Sequence, residues 1–287
     1  WWSAVGASAT FRGMAKRKAH RNGKLTAATA DRYDLYQQSV QDPGHEVEFF
    51  DRVYRAEFGR APQVLREDFC AAAAVCAEWV RTGPRRKAIG VDIDPEPIEW
   101  GRQHNLSKLT DAQRKRVSFL INDVRDVRGP KADIVAGENF SYFIFKTRDE
   151  LRRYFAAARR NLKARGMLVL DIMGGYEVIE EDRKEKTKQK GFTYVWEQAR
   201  FDPITHDCLF YIHFHFKDGT KLKRAFEYPW RLWTIPEVRE LLHEAGFKRV
   251  DVYWEGEDEN GEGTGEFDKA TSAPSEPSYV TYLVAIK

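Results

Sequence analysis

The sequence predicts an α/β fold: a Rossmann-like, mostly parallel seven-stranded sheet with helices on both faces, plus an antiparallel β insertion. Three observations predict it. Residues Gln63 to Asp94 read as strand, tight turn, helix, turn and strand. Short apolar runs then alternate with helical patterns as far as Glu177, which is the order of a parallel sheet covered on both faces. Beyond Lys190 the period changes from helical spacing to strict alternation, with Asp202-Pro203 and Asp218-Gly219 at the turns. Asp-Gly is a strong hairpin signal.

The Gln63–Asp94 stretch organises the rest. Val64-Leu65 begin a strand that ends on two carboxylates, Glu67 and Asp68. The turn after it carries Ala71 to Ala74 and no glycine, although backbone that approaches a ligand closely usually favours one. Val75, Trp79 and Val80 then lie on or near one helical face, and Thr82-Gly83-Pro84 stop the helix. A second strand, Ala88 to Val91, ends on Asp92. A carboxylate there, about 20 residues past the turn, is placed to hold the hydroxyls of a nucleoside ribose.

Before this unit, Ala30 to Gln41 and His45 to Phe58 read as two helices. Tyr33 and Tyr36 on the first can close over a bound ligand or serve as core aromatics. After it, Pro95 opens a helix in the first-turn position proline favours. Val117 to Ile121 is a third strand ending on Asn122-Asp123-Val124, where Asp123 can read an adenine amino group. Ala132 to Ala136 is a fourth, followed by Gly137-Glu138-Asn139-Phe140-Ser141-Tyr142. Arg148 to Leu162 is a helix, and Met167 to Ile172 a fifth strand leading to Tyr176-Glu177. Glu67, Asp92, Asp123, Asn139 and Glu177 all fall at the C-terminal ends of strands, where ligands bind in such sheets.

Glu180 to Lys190 is a charge run, expected as a solvated loop or helix face. Phe192–Arg200, Cys208–Phe216 and Leu222–Tyr228 alternate like antiparallel strands. Tyr211, His213 and His215 share one face of the middle strand. With no third ligand nearby, these histidines are not read as a metal site. Thr234 and Glu237 form a capping box. Arg249 to Trp254 and Tyr279 to Ile286 are strands, and Glu255 to Asp268, acidic and glycine-rich, is expected as a mobile loop.

Composition narrows the function. The chain has 287 residues, 42% hydrophobic and 13% aromatic, enough for a large core. Its net charge of +3, from 47 basic and 44 acidic residues, calls for no nucleic-acid partner. The three cysteines lack CxxC spacing, so neither a disulfide framework nor a zinc site is expected. A reducing, cytoplasmic setting is the default, and no apolar run reaches membrane-spanning length. Residues 1–25 are expected as a basic, flexible extension. Residues 26–287 form the main domain, with 178–233 as the β insertion.

From about Tyr33 to Ile286 the chain resembles the class I S-adenosylmethionine-dependent methyltransferases of small-molecule type. VLREDFCAAAA matches the first loop of that family, GVDIDPEPIEWGR the second and INDV the third. GENFSY, MLVLDI and LLHEAGFKRVDVYW extend the likeness. The resemblance implies S-adenosylmethionine as cofactor and S-adenosylhomocysteine as product. It places Glu67 near the methionine amino group, Ala71 and Ala73 in the cofactor loop, and Asp92 on the ribose. Ile93 then lies beside the adenine, with Asn122, Asp123 and Val124 at its edge. Asn139 to Tyr142 line the transfer site, and Tyr36 is a cofactor-lid candidate. The family's glycine-bearing loop is replaced here by Cys70-Ala71-Ala72-Ala73.

The implied reaction is in-line methyl transfer to a nitrogen, oxygen or sulfur nucleophile, with the protein aligning donor and acceptor. Tyr142, Tyr211 and His213 are candidates to orient the acceptor or take its proton. Tyr33, Tyr176, Trp196, Arg231 and Trp233 are candidates for substrate binding. Trp196, Trp230 and Trp233 suit a cationic group, and Arg231 a carboxylate. The alternatives are an RNA or protein methyltransferase docked by its basic arm, and a non-catalytic protein that keeps the fold.

Overall fold

The computed structural model describes residues 25–259, 261 and 263–287. The extension expected over 1–25 therefore lies, Leu25 apart, outside the described residues. Two helices come first, α1 (Arg32–Val40) and α2 (Pro43–Phe58). Asp31 caps α1 by accepting from the Tyr33 and Asp34 amides, and Asp42 caps α2 by accepting from His45. Gly59, with φ +66°, ends α2 in the left-handed conformation glycine adopts without strain.

The alternating units follow: β1 (Val64–Asp68), α3 (Ala74–Arg81), β2 (Lys87–Asp92), α4 (Pro95–His104), α5 (Asp111–Arg114), β3 (Val117–Ile121), β4 (Ala132–Gly137), α6 (Arg148–Asn161) and β5 (Leu162–Gly174). Next come β6 (Arg183–Lys188), β7 (Phe192–Phe201), β8 (Asp207–Phe216) and β9 (Lys221–Arg231). The chain ends with α7 (Ile235–Glu244), β10 (Arg249–Glu257), β11 (Gly263–Ala270) and β12 (Tyr279–Ile286).

The large sheet has the order β11-β10-β12-β5-β4-β1-β2-β3. Strands β1 to β5 pair in parallel, and β10 pairs antiparallel with β12. All six residues of β4 are buried, as in a strand covered on both faces. Among the described residues the sheet has eight strands where the sequence predicts seven. The extra one, β11, falls in the stretch expected as a loop. Its GTGEFDKA sequence buries only Gly263 and Phe267, so it carries little apolar alternation. It is held by cross-strand bonds: Thr264 Oγ1 donates to Gly256 O, and the Gly265 amide donates to Glu255 Oε1.

The second sheet, β6-β7-β8-β9, is antiparallel throughout. Strand β6 corrects the expectation of a solvated loop over 180–190. RKEKTK alternates half-buried and exposed positions along an edge. Arg183 pairs with Glu177, Glu180 and Glu185, and Lys184 with Glu197. A lysine-rich edge also discourages pairing with other chains.

The chain divides into two compact units. One comprises Asp42–Ile172, Trp233–Tyr253 and Tyr282–Lys287; the other comprises the described residues up to Gln41, Met173–Leu232 and Trp254–Thr281. Among the described residues no helix is long and apolar enough to cross a membrane.

Candidate active site

The first unit gathers most of the strand-end residues. The loop from β1 to α3 adopts three left-handed residues without a glycine: Phe69 (φ 58°), Ala71 (φ 41°) and Ala73 (φ 54°). Such φ values cost an L-residue roughly 1–2 kcal/mol each, so the loop must be held from outside. Asp92 Oδ2, at the end of β2, accepts from the Ala71 amide at 2.8 Å, and its Oδ1 accepts from Asp94 at 3.0 Å. Behind the loop, Asn105, which caps the C-terminus of α4, donates to the Ala72 carbonyl at 2.9 Å. Gly101 lets α4 come this close: a Cβ there would stand 2.2 Å from Ala72 O.

Ala73, the residue capping α3, has no side chain to accept from the helix's first amides. Glu67 does this instead, its Oε2 accepting from the Cys76 amide at 2.8 Å. Burial pushes the Glu67 carboxyl up to about 7, with the nearby Asp92 charge adding to the rise. Burial also raises Asp92, against the backbone amides that stabilise its charge. Beyond Asp92, Ile93 is 69% exposed, and Ile121 at the end of β3 is 59% exposed. Two bare isoleucines at adjacent strand ends offer an apolar surface to a flat ring.

After β3, Asn122 is exposed and Val124 buried. Arg125 clasps Asp123, its Nη2 lying 2.7 Å from Oδ2. Its hydrogen bond holds the Asp123 carboxyl below the usual range, so the group stays charged. A buried pair, Arg66 with Asp68, ties β1 to this loop through Arg66 Nη2 donating to Val124 O at 3.3 Å.

The loop after β4 repeats the first loop's device. Asn139 (φ 58°) and Phe140 (φ 55°) are both left-handed. Asp171 of β5 holds them: its Oδ2 accepts from the Asn139 amide at 2.7 Å and its Oδ1 from the Phe140 amide at 2.9 Å. Tyr142 is fully buried and donates to the Asp171 carbonyl at 2.8 Å. Tyr142 thereby props this loop from β5. Trp233 is buried too, its Nε1 donating to Phe145 O at 3.1 Å.

Three acids escaped the sequence reading: Glu46, Glu138 and Asp171. Burial raises Asp171 to about 7 and Glu46 to about 8, and lifts Glu138 well above the carboxylate range. One signal was available, a lone carboxylate inside the apolar run MLVLDIM.

The second unit holds the remaining candidates. Tyr33 and Tyr36 pack on Phe226 of β9, with ring centroids 6.1 and 4.9 Å away. Trp196 lies against Phe210 and Tyr228. The Arg224 guanidinium sits over the Tyr211 ring, and the Arg224 amide donates to His213 Nδ1 at 3.1 Å. His213 Nε2 lies 2.7 Å from Glu197, and burial lowers the His213 pKa. With Nδ1 accepting, a neutral ring carries its proton on Nε2, toward Glu197. Tyr176 is 58% exposed, and Arg231 is half-buried at the end of β9.

Known proteins share this fold. No family model matches the chain. YqeM of Bacillus subtilis (strain 168), which bears the provisional name of a methyltransferase, is 24% identical over 169 residues. That match spans 55% of this chain and 64% of YqeM. An S-adenosylmethionine-dependent methyltransferase structure from Clostridium acetobutylicum superposes with a TM-score of 0.65 at 14% identity, covering 88% of this chain and 96% of that one. An amino pentose methyltransferase of calicheamicin biosynthesis from Micromonospora echinaspora, solved with S-adenosylmethionine bound, gives 0.62 at 17% identity, covering 93% and 99%. A sugar N-methyltransferase from a Streptoalloteichus species gives 0.60 at 18% identity, covering 96% and 98%. The chain has the fold of the S-adenosylmethionine-dependent methyltransferases, with its mostly parallel sheet and separate antiparallel sheet.

Proposed function

We propose that this chain is an S-adenosylmethionine-dependent methyltransferase acting on a small molecule. One observation carries the reading: Asp92 binds the Ala71 amide and so holds the loop in left-handed turns that are otherwise unfavourable. That brings a β2-end carboxylate, the start of α3 and two exposed isoleucines to one sheet edge, a set that fits a nucleoside joined to an amino acid.

Each Asp92 oxygen accepts one amide and keeps a lone pair for a ribose hydroxyl. Glu67 faces the methionine ammonium. Ile93 and Ile121 would hold the adenine by its faces, and Asn122, Asp123 and the Val124 amide by its edge. Asn139 and the loop that Asp171 holds line the transfer site. The bound cofactor supplies a methyl group on a positively charged sulfur; the protein aligns the acceptor and keeps water out. Residues 178–233 select the acceptor, with Tyr211, His213, Trp196, Arg231 and Tyr176 as candidate contacts. The fold's occurrence in an amino pentose and a sugar N-methyltransferase supports a small acceptor. Three buried free cysteines suit a reducing, cytoplasmic setting.

The test is to incubate the protein and methyl-labelled S-adenosylmethionine with a cell extract divided by size. Label transferred from S-adenosylmethionine to another compound of the small-molecule fraction is the expected result. Label confined to RNA or protein, or no S-adenosylhomocysteine formed in any fraction, contradicts the reading.

A further inference from the structure

Glu138 follows the last residue of β4 and is 7% exposed. Both its carboxylate oxygens are buried and have no hydrogen-bond partner among the described residues. A buried acid left in this state costs stability unless something else satisfies it. The groups whose charges reach it are all acids: Glu46 of α2, Asp171 of β5 and Glu67 of β1. Tyr282 of β12 faces the same group of acids.

The other three acids are engaged. Glu67 accepts from the α3 amide, Asp171 from two loop amides, and Glu46 from the Tyr282 hydroxyl at 3.2 and 3.1 Å. No lysine, arginine or histidine is among the groups that shift Glu46, Glu67, Glu138 or Asp171. With no protein cation among those groups, burial keeps these acids protonated in the free protein, and a cationic ligand is the partner they suit. Among the described residues no three acidic, histidine or cysteine side chains are placed to hold a metal ion. The cation is therefore one that brings its own N–H donors. Under the proposed function, the cofactor's ammonium goes to Glu67, which leaves Glu138 for a second one.

We propose that Glu138, backed by Glu46 and Asp171, receives the protonated amine of the methyl acceptor and takes its proton. The acceptor class is therefore an amine. This inference rests on the methyltransferase reading. In the step, an N–H bond of the acceptor ammonium breaks and an O–H bond forms on Glu138. The freed nitrogen lone pair then forms the N–C bond as the methyl's bond to sulfur breaks, its electron pair returning to sulfur. The product leaves as a methylammonium ion, and Glu138 gives its proton to solvent. The raised Glu138 carboxyl suits a base that must exchange a proton with an amine.

Two measurements test this, with Glu138→Gln beside the wild type. In the first, both are offered S-adenosylmethionine with acceptors that share a skeleton and differ in one group: benzylamine, benzyl alcohol and benzyl mercaptan, then glucosamine and glucose. The expected result is methylation of amines only, reduced at least ~100-fold in the variant, with S-adenosylhomocysteine binding unchanged. In the second, melting of the ligand-free proteins is followed with pH. An acid raised in the fold loses stability as pH climbs from its unfolded pKa toward its folded one. Glu138→Gln should therefore match the wild type near pH 4 and melt higher near pH 8.

Methylation of the alcohol or thiol at equal rates in both proteins overturns the inference. So does a variant that melts lower near pH 8, which marks Glu138 as structural. A chain that binds S-adenosylhomocysteine but methylates no amine also overturns it while leaving the methyltransferase reading intact. Failure to bind S-adenosylhomocysteine overturns both.

Discussion

The loop after β1 and the loop after β4 meet the same difficulty. Both run through left-handed conformations with no glycine at the strained positions. Both are held by a carboxylate from the neighbouring strand: Asp92 of β2 grips Ala71, and Asp171 of β5 grips Asn139 and Phe140. Each oxygen of both carboxylates accepts one amide, and the difference lies in how open each carboxylate is. Asp171 is 5% exposed and gives both oxygens to its loop. Asp92 gives its loop one oxygen and stays half-buried at the sheet edge. One clamp is committed to structure, while the other keeps capacity for a ligand. A strand-end carboxylate can therefore stand in for glycine, and its exposure indicates whether it can also bind.

Removing the committed clamp should have the largest effect. Asp171→Ala leaves two loop amides without acceptors and is expected to cost about 2–4 kcal/mol, measured by urea denaturation. A cost under about 0.5 kcal/mol would mean that the β4 loop holds itself. Gly101→Ala comes next and tests the support behind the first loop. Helix propensity alone predicts a gain of about 1 kcal/mol. The approach to Ala72 O reverses the sign, and a net loss of about 1–2 kcal/mol is expected. Gaining stability would show that α4 can shift away from the loop.

The pH dependence tests the buried acids further. The Asp171 and Glu67 carboxyls stand near 7 in the fold, above their ordinary values of 3.8 and 4.5. The unfolded chain releases these protons first, so stability falls as pH rises from about 4 to about 7 and then levels. Asp171→Asn should flatten that fall, and Asp123→Asn, whose carboxyl is held low by Arg125, should not. The smallest effect is expected for Ala73→Gly. Relief of the left-handed strain is partly offset by glycine's greater entropy when unfolded, leaving a gain of under ~1 kcal/mol. A loss would place the cost of this loop elsewhere.

Much of this was legible in the sequence. Glu67, Asp92 and Asp123 follow short apolar runs, so their strand-end positions come from local pattern alone. The Thr234 cap is a local signal too, and it forms. What the sequence did not show depends on distant partners. Asp171 is 32 residues from the loop it clamps, and in sequence it is one acid in an apolar strand. Glu138 is defined by acids from three other elements. Strand β11 has little apolar pattern and forms by pairing with β10, while β6 is a strand whose charges belong to an edge.

The cofactor assignment is tested most directly by calorimetric titration of S-adenosylhomocysteine into the wild type and Asp92→Ala. The account predicts micromolar binding to the wild type and a loss of at least tenfold in the variant, about 1.4 kcal/mol. Equal affinity in the two proteins, or no binding to the wild type at millimolar ligand, would contradict it.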